Sequence, residues 1–141
     1  SAASREHVHA LRDKCDLIVI GGNTVRTDRP TLDARLVNGK APDVLIYSYS
    51  TDFDRSIALF GIANREVFIE STLDKVQSYS LVMIEGGGAM MEATHAICDW
   101  YLSYIAPKIG GGMRTISHNQ EDFEVMSAKI QDDIILWMKK K

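Results

Sequence analysis

Asp16-Leu-Ile-Val-Ile-Gly-Gly22 runs through four consecutive apolar residues and stops on two glycines. With no polar alternation, it predicts a strand covered on both faces of a sheet and ended by a turn. The same shape recurs in Asp43-Val-Leu-Ile-Tyr-Ser48, Glu66-Val-Phe-Ile-Glu70 and Ser80-Leu-Val-Met-Ile-Glu-Gly-Gly-Gly88. Four such runs predict a largely parallel sheet. Between them lie helix-compatible stretches at residues 24–28, 72–78 and 89–97. Ahead of the first run, Ser4 as an N-cap with Val8, Leu11 and Cys15 at spacings of three to four predicts a helix over 4–14. This is β-α-β alternation. After Cys98 the pattern changes, because Asp99-Trp-Tyr-Leu-Ser-Tyr-Ile-Ala-Pro107, Phe123-Glu-Val-Met-Ser-Ala-Lys-Ile130 and Asp133-Ile-Ile-Leu-Trp-Met138 follow one another without a helical stretch. The expected fold class is therefore α/β, one domain over residues 1–141. Its mixed, mostly parallel central sheet is flanked by helices and carries antiparallel strands at the C-terminal end.

Composition narrows the function. The chain has 141 residues, 45% of them hydrophobic, with 16 basic against 19 acidic residues and a net charge of −3. It can bury a core and has no polybasic signature, so nucleic acid is not an expected partner. Apolar runs such as residues 17–20 fall far below the roughly 18 residues of a membrane span, and no leader pattern opens the sequence. The reading is of a cytoplasmic protein without a membrane partner. Cys15 and Cys98 form no C-x-x-C, and His7, His9, His95 and His118 form no ligand pattern, so no metal and no disulfide is expected.

Two strand ends carry the chemistry. In Val82-Met-Ile-Glu-Gly-Gly-Gly-Ala-Met-Met-Glu-Ala93, an acid closes a strand, three glycines follow, and a helix begins. Glycines let backbone approach a phosphate, and the N–H groups of a helix's first turn favour an anion, a geometry that suits a pyrophosphate. The run is not the dinucleotide fingerprint, since Met91 stands where the third glycine belongs. A strand-to-helix turn also uses glycine for steric reasons, and both readings stay open here. The other strand end, Ile20-Gly-Gly-Asn-Thr-Val-Arg-Thr-Asp-Arg-Pro30, repeats the theme. Ligands of open α/β sheets sit at carboxyl ends of strands, so two such turns point to one cleft. Arg12, Arg26, Arg29 and Arg35 flank it and could grip a phosphate monoester, although any one of them alone reads more simply as solvated. Glu85 is a candidate acid or hydrogen-bonding group in that cleft, and Met90 and Met91 read as helix core.

Together these stretches are more specific than any one alone. Leu11-Arg-Asp-Lys-Cys-Asp-Leu-Ile-Val-Ile-Gly-Gly-Asn-Thr-Val-Arg-Thr-Asp-Arg-Pro-Thr-Leu-Asp-Ala-Arg35 closely resembles a signature of the riboflavin-biosynthesis reductases, the C-terminal domain of the bifunctional pyrimidine deaminase/reductase. Ile84-Glu-Gly-Gly-Gly-Ala-Met-Met91, followed by Asp99-Trp-Tyr-Leu-Ser-Tyr-Ile-Ala-Pro-Lys-Ile-Gly-Gly-Gly112, resembles that family's second signature. The likeness covers nearly the whole chain, in order and spacing.

The resemblance implies a dihydrofolate-reductase-like fold and NADPH-dependent reduction of a ribosylamino-pyrimidine 5′-phosphate to its ribitylamino form, the ring-opened ribose taking a hydride at C1′. By the same resemblance, Arg12, Leu32 and Arg35 match positions that hold substrate, the arginines suiting its phosphate. Glu85 matches a glutamate beside the reacting sugar and is the catalytic candidate. Thr24, Asp28 and Ser48 match cofactor contacts. Gly87, Gly88, Ala89, Met90, Met91, Glu92 and Ala93 match the pyrophosphate turn. A homodimer is expected as well. The family domain also begins with a strand carrying a Lys-x-Ala-x-Ser-x-Asp-Gly-like segment, which does not precede Ser1, and neither H-x-E nor P-C-x-x-C of the deaminase occurs. The sequence is thus expected to be a fragment without the domain's first strand and any upstream deaminase. Two other readings stay open: a reductase of the same fold acting on a pterin, and a non-catalytic dimerising or nucleotide-binding remnant.

Overall fold

The computed structural model describes residues 1–108 and 122–141, so Ile109, the glycines at 110–112 and His118 lie outside the described residues. The chain divides into two compact units. One is Glu6–Gly86; the other is Ser1–Arg5 with Gly87–Lys141.

In Glu6–Gly86 the four apolar runs are strands β1 (Leu17–Gly21), β2 (Asp43–Tyr47), β3 (Val67–Glu70) and β4 (Val82–Glu85). They form one sheet in the order β3-β2-β1-β4, every pairing parallel, with Ile18 opposite Val44 and Met83, and Ile20 opposite Ile46 and Glu85. The two central strands are apolar on both faces because both are covered: Leu17, Ile18, Val19, Val44, Leu45 and Ile46 are fully buried. Ile18, Ile20, Val44 and Ile46 pack with Val25, Leu32, Phe53, Ile57 and Leu59 in a single core cluster. Acids at the strand entries tie the sheet together. Asp16 accepts from the Leu81 amide at 2.9 Å, and Asp43 accepts from the Glu66 amide at 2.8 Å and the Tyr79 hydroxyl at 2.9 Å.

Helix α1 (Ala2–Lys14) precedes β1, and α2 (Gly22–Asp28) follows it without a loop. Helix α2 ends at Arg29, in the left-handed conformation with φ 46°, directly before Pro30, which cannot continue a helix. The expected helix at 72–78 is a 3-10 turn, Asp74–Ser78, and a one-turn helix α3 (Ala58–Gly61) joins the segment before β3.

The other unit holds helix α4 (Gly88–Thr94) and strands β5 (Trp100–Ile105), β6 (Phe123–Ile130) and β7 (Ile134–Lys140). The strands pair antiparallel in the order β5-β7-β6, with a register shift between Val125 and Ser127. The parallel and antiparallel strands foreseen from sequence are both there, but among the described residues they hydrogen-bond as two sheets and not one mixed sheet. Antiparallel neighbours close on each other through a short turn and need no crossover, and β6 and β7 do so across residues 131–133. The helix cap also differs from expectation: Ser1 Oγ accepts the Ser4 amide at 3.1 Å, so Ser1 is the cap, while the buried Ser4 hydroxyl hydrogen-bonds to Asp133.

Candidate functional site

The order β3-β2-β1-β4 has a topological switch point: from β1 the chain builds outward through β2 and β3, then returns to the opposite side of β1 for β4. In open α/β sheets, ligands bind beside such a point at the carboxyl ends of the strands. Those ends are Gly21-Gly22 and Glu85-Gly86, the glycine-rich turns singled out from sequence.

Glu85 is paired there. Arg12, near the end of α1, donates from Nε to Glu85 Oε1 at 2.7 Å and from Nη2 to Oε2 at 2.8 Å, a two-bond fork between side chains 14% and 20% exposed. Its third nitrogen, Nη1, donates to the Asp33 carbonyl at 3.3 Å. The fold thus joins two candidate site residues 73 positions apart and commits the Arg12 guanidinium to a carboxylate. Arg35 is different: its side chain is 62% exposed and among the described residues rests on Asp33, with Nη1 2.9 Å from both carboxylate oxygens. The two arginines are not side-by-side open ligands. Arg12 orients Glu85, and Arg35 faces solvent.

Leu32 has φ 56° yet is buried in the core cluster. A left-handed leucine costs about 1–2 kcal/mol, and burying its side chain offsets about that much. With the side chain in the core, only the Leu32 backbone is left to meet a ligand. That backbone is held by Arg65, whose half-buried guanidinium donates to the carbonyls of Leu32 (2.8 Å), Thr31 (2.8 Å) and Leu59. Burial lowers the Arg65 pKa, and its Nε lacks a hydrogen-bond partner among the described residues.

Thr24 and Asp28 lie four apart on α2, Thr24 half-buried and Asp28 exposed, so they share a face of the helix that starts at the end of β1. Ser48 follows β2 directly; its hydroxyl donates to the Ser50 carbonyl at 2.8 Å and accepts from Arg26 Nη2 at 3.2 Å. Gly22 packs against it so closely that a Cβ at position 22 would stand 2.7 Å from both Ser48 Cβ and Oγ. Arg26 and Arg29 are used locally, Arg26 over the Phe53 ring at 4.3 Å and Arg29 on Asp54 at 2.6 Å.

In the other unit, Gly87 caps α4 and its carbonyl accepts the amides of Met90 (3.0 Å) and Met91 (3.1 Å). Met90 is buried, as a helix-core methionine should be, while Ala89, Glu92 and Ala93 are exposed. Gly87 has φ −92°, open to any residue, and a Cβ there would meet no atom of the described residues within 4 Å. Neither backbone strain nor packing within the described chain requires glycine at 87.

His9 and Asp33 were not singled out as site residues, yet both adjoin Arg12 and Arg35. His9 is 8% exposed, its Nδ1 accepts the Leu36 amide at 3.5 Å, and it lies 3.7 Å from Asp33 Oδ1. The signal was present: His9 is three residues before Arg12, on one helix face. Arg65 had no local signal. The thiol of Cys15 is inert by environment, pushed up to about 11 by burial first, then by Asp16 and Glu85. Among the described residues no group of His, Cys, Asp and Glu could hold a metal ion, and no helix is long and apolar enough to cross a membrane.

Comparison with known proteins bears on the same residues. A profile of the family described as the RibD C-terminal domain matches residues 1–136. The riboflavin biosynthesis protein RibD of Synechocystis is 36% identical over 77 residues, covering 53% of this chain and 21% of that protein. RibD of Corynebacterium ammoniagenes is 30% identical over 129 residues, covering 82% of this chain and 38% of that protein. The chain thus spans well under half the length of either relative. Among solved structures, Acinetobacter baumannii RibD superposes with a TM-score of 0.81 at 17% identity, over 100% of this chain and 51% of that one. The riboflavin biosynthesis reductase Rib7 of Saccharomyces does so with a TM-score of 0.68 at 17% identity, over 100% of this chain and 82% of that one. At these identities the structural likeness speaks for the fold alone. The fold agrees with RibD over the full chain, and the family profile spans residues 1–136, from α1 through the glycine turns into β7: the chain belongs to the RibD C-terminal domain family.

Proposed function

We propose that this chain reduces 5-amino-6-(5-phosphoribosylamino)uracil to its ribitylamino form in riboflavin biosynthesis, with NADPH as the hydride donor and C1′ of the ring-opened ribose as the acceptor. The observation that carries the reading is the Arg12–Glu85 fork at the switch point of a parallel sheet, beside an arginine that is open to solvent. An oriented carboxylate can accept hydrogen bonds from the sugar hydroxyls at the reacting end of the substrate, and Arg35 can take the 5′-phosphate at the other. Arg12 then serves the substrate through Glu85. The Leu32 backbone, fixed by Arg65, is a further candidate for substrate contact.

The residues present fit a dinucleotide. The Gly87 turn is open where a Cβ would project, which supports close approach of a pyrophosphate over a purely steric need for glycine. In the Gly87–Lys141 unit, residues 87–93 are the candidates for the pyrophosphate; in the Glu6–Gly86 unit, Thr24, Asp28 and Ser48 are the candidates for cofactor contacts. When bound, NADPH supplies the hydride. The chain's own residues bind the reactants, hold the Glu85 carboxylate oriented through Arg12, and offer Arg35 to the phosphate dianion.

Calorimetric titration with NADPH and NADH tests the cofactor assignment. NADPH is expected to bind at least tenfold more tightly, about 1.4 kcal/mol. Gly87→Ala should weaken NADPH about tenfold while leaving the melting temperature unchanged, since the added methyl meets no described atom. A lower melting temperature with unchanged affinity would favour the steric role, and no nucleotide binding by the unaltered chain would overturn the cofactor assignment.

Arg35→Ala should raise KM for the phosphorylated substrate about tenfold and change kcat little, because a phosphate remote from C1′ is held alike in ground and transition states. An unaltered KM would remove Arg35 from the phosphate.

A homodimer in the cytoplasm completes the proposal. It is supported by the exposed apolar residues of edge strand β6, among them Ile130 at 79% exposure, and sedimentation velocity reads it directly.

A further inference from the structure

We propose that His9 is a positioning residue that sets Arg35 through Asp33 and the Leu36 amide, correctly only while its imidazole is neutral. The proposal rests on the reading above that Arg35 meets the substrate's phosphate, and it begins from a shared acceptor. Asp33 Oδ1 receives Arg35 Nη1 at 2.9 Å and the Arg35 amide at 3.4 Å, and the same oxygen lies 3.7 Å from His9 Nδ1. On the other side of Arg35, the Leu36 amide donates to that same Nδ1 at 3.5 Å. A nitrogen that accepts carries no proton, so the geometry assigns His9 the tautomer with hydrogen on Nε2. Arg35 is thereby bracketed: Asp33 holds its guanidinium and its amide, and His9 holds the amide of the residue after it, where the 3-10 turn Arg35–Val37 begins.

Protonation at Nδ1 reverses both contacts. The new N–H would face the Leu36 N–H, and the imidazolium would become a cationic partner for Asp33 Oδ1 in competition with Arg35. The charged groups around His9 are Arg12 on its own helix, Asp33 and Arg35 on the segment before and in the 3-10 turn, and Glu85 at the end of β4. Burial is the largest influence and lowers the His9 pKa below 6.5; Arg12 lowers it further, against the opposing pull of Asp33. The neutral form is the resting one. Because the folded value lies below the unfolded one, the stabilisation by neutral His9 is complete above pH 6.5 and lost as pH falls through the folded value.

The test compares His9→Asn with His9→Ala. The Asn carboxamide oxygen sits where Nδ1 does and accepts the Leu36 amide at every pH. In the unaltered chain, KM for the phosphorylated substrate should rise on acidification while kcat stays within about twofold. His9→Asn should keep the neutral-pH KM and lose the part of the acid rise that belongs to His9. The rise from the phosphate's own ionisation, with pKa about 6, is common to all variants and cancels in the ratio. His9→Ala should raise KM about fivefold at all pH values, with kcat unchanged. In parallel, an NMR titration should move the Leu36 amide and the Arg35 Nε–H signal with the His9 midpoint in the unaltered chain, and with no such midpoint in His9→Asn. If those two signals ignore His9, or if His9→Ala leaves KM unchanged where Arg35→Ala raises it, the proposal is overturned. If Arg35→Ala leaves KM unchanged, the phosphate reading fails instead, and the NMR titration still decides whether His9 sets Arg35.

Discussion

Glu85→Gln is expected to lower kcat/KM for the phosphorylated ribosylamino-pyrimidine about a hundredfold, some 2.7 kcal/mol at 1.36 kcal/mol per decade. The substitution keeps the shape of the side chain and removes its charge. Two things then fail together. The carboxylate that would hold the sugar hydroxyls beside C1′ becomes an amide with one acceptor, and Arg12, only 14% exposed, loses the anion that received both Nε and Nη2. Leaving one member of a partly buried pair alone also destabilises the fold, by about 1–3 kcal/mol, less than a fully buried pair because 20% of Glu85 reaches solvent. A double-mutant cycle with Arg12→Gln separates the effects: if Arg12 acts through Glu85, the two losses in kcat/KM are far from additive. Normal kcat and KM in Glu85→Gln would remove Glu85 from the reaction, and additive losses would return Arg12 to an independent substrate role.

Arg65→Met should give the largest loss of stability among polar substitutions in this unit, about 3 kcal/mol. Three carbonyls, of Thr31, Leu32 and Leu59, lose a charged donor at once. Methionine fills the volume but donates nothing, so the left-handed Leu32 loses the contact that fixes its carbonyl, and the 31–35 segment loosens. For a chain of this size the drop in melting temperature should be about 10 °C, at a few degrees per kcal/mol. Urea unfolding checks it: a change under about 1 kcal/mol would mean that the backbone holds the turn unaided and the three bonds only replace water. Arg65→Lys should recover part of the loss, one ammonium reaching fewer carbonyls than the planar fork.

The legible part of this protein was local. The runs at 17–20, 44–47, 67–69 and 82–84 announced parallel strands and each fell within or on its strand; the central two are apolar because both of their faces are covered, while β3 and β4 at the edges are only partly buried. The glycine turn after β1 was legible for the same local reason: a chain leaving a buried strand straight into a helix needs a small residue, as the 2.7 Å approach of Ser48 to a Cβ at 22 makes plain, whereas at Gly87 a Cβ would meet nothing within 4 Å and the glycine run marks only a candidate site. What stayed hidden was which charged groups meet. Nothing near Arg12 in sequence names Glu85 as its partner, and nothing near Arg65 says that its guanidinium bonds carbonyls at 31, 32 and 59. His9 read as a histidine without a metal pattern until the turn at 33–36 closed over it.

The sequence by itself determined the parallel strands, the positions of the glycine turns and the family signatures, since each depends on burial or backbone freedom within a few residues. Tertiary structure alone decided that Arg12 orients Glu85 while Arg35 is open to solvent, and that the parallel and antiparallel strands hydrogen-bond as two sheets. Long side chains take their partners from whatever the sheet order brings within a few ångströms, and that order is fixed by packing across the whole unit.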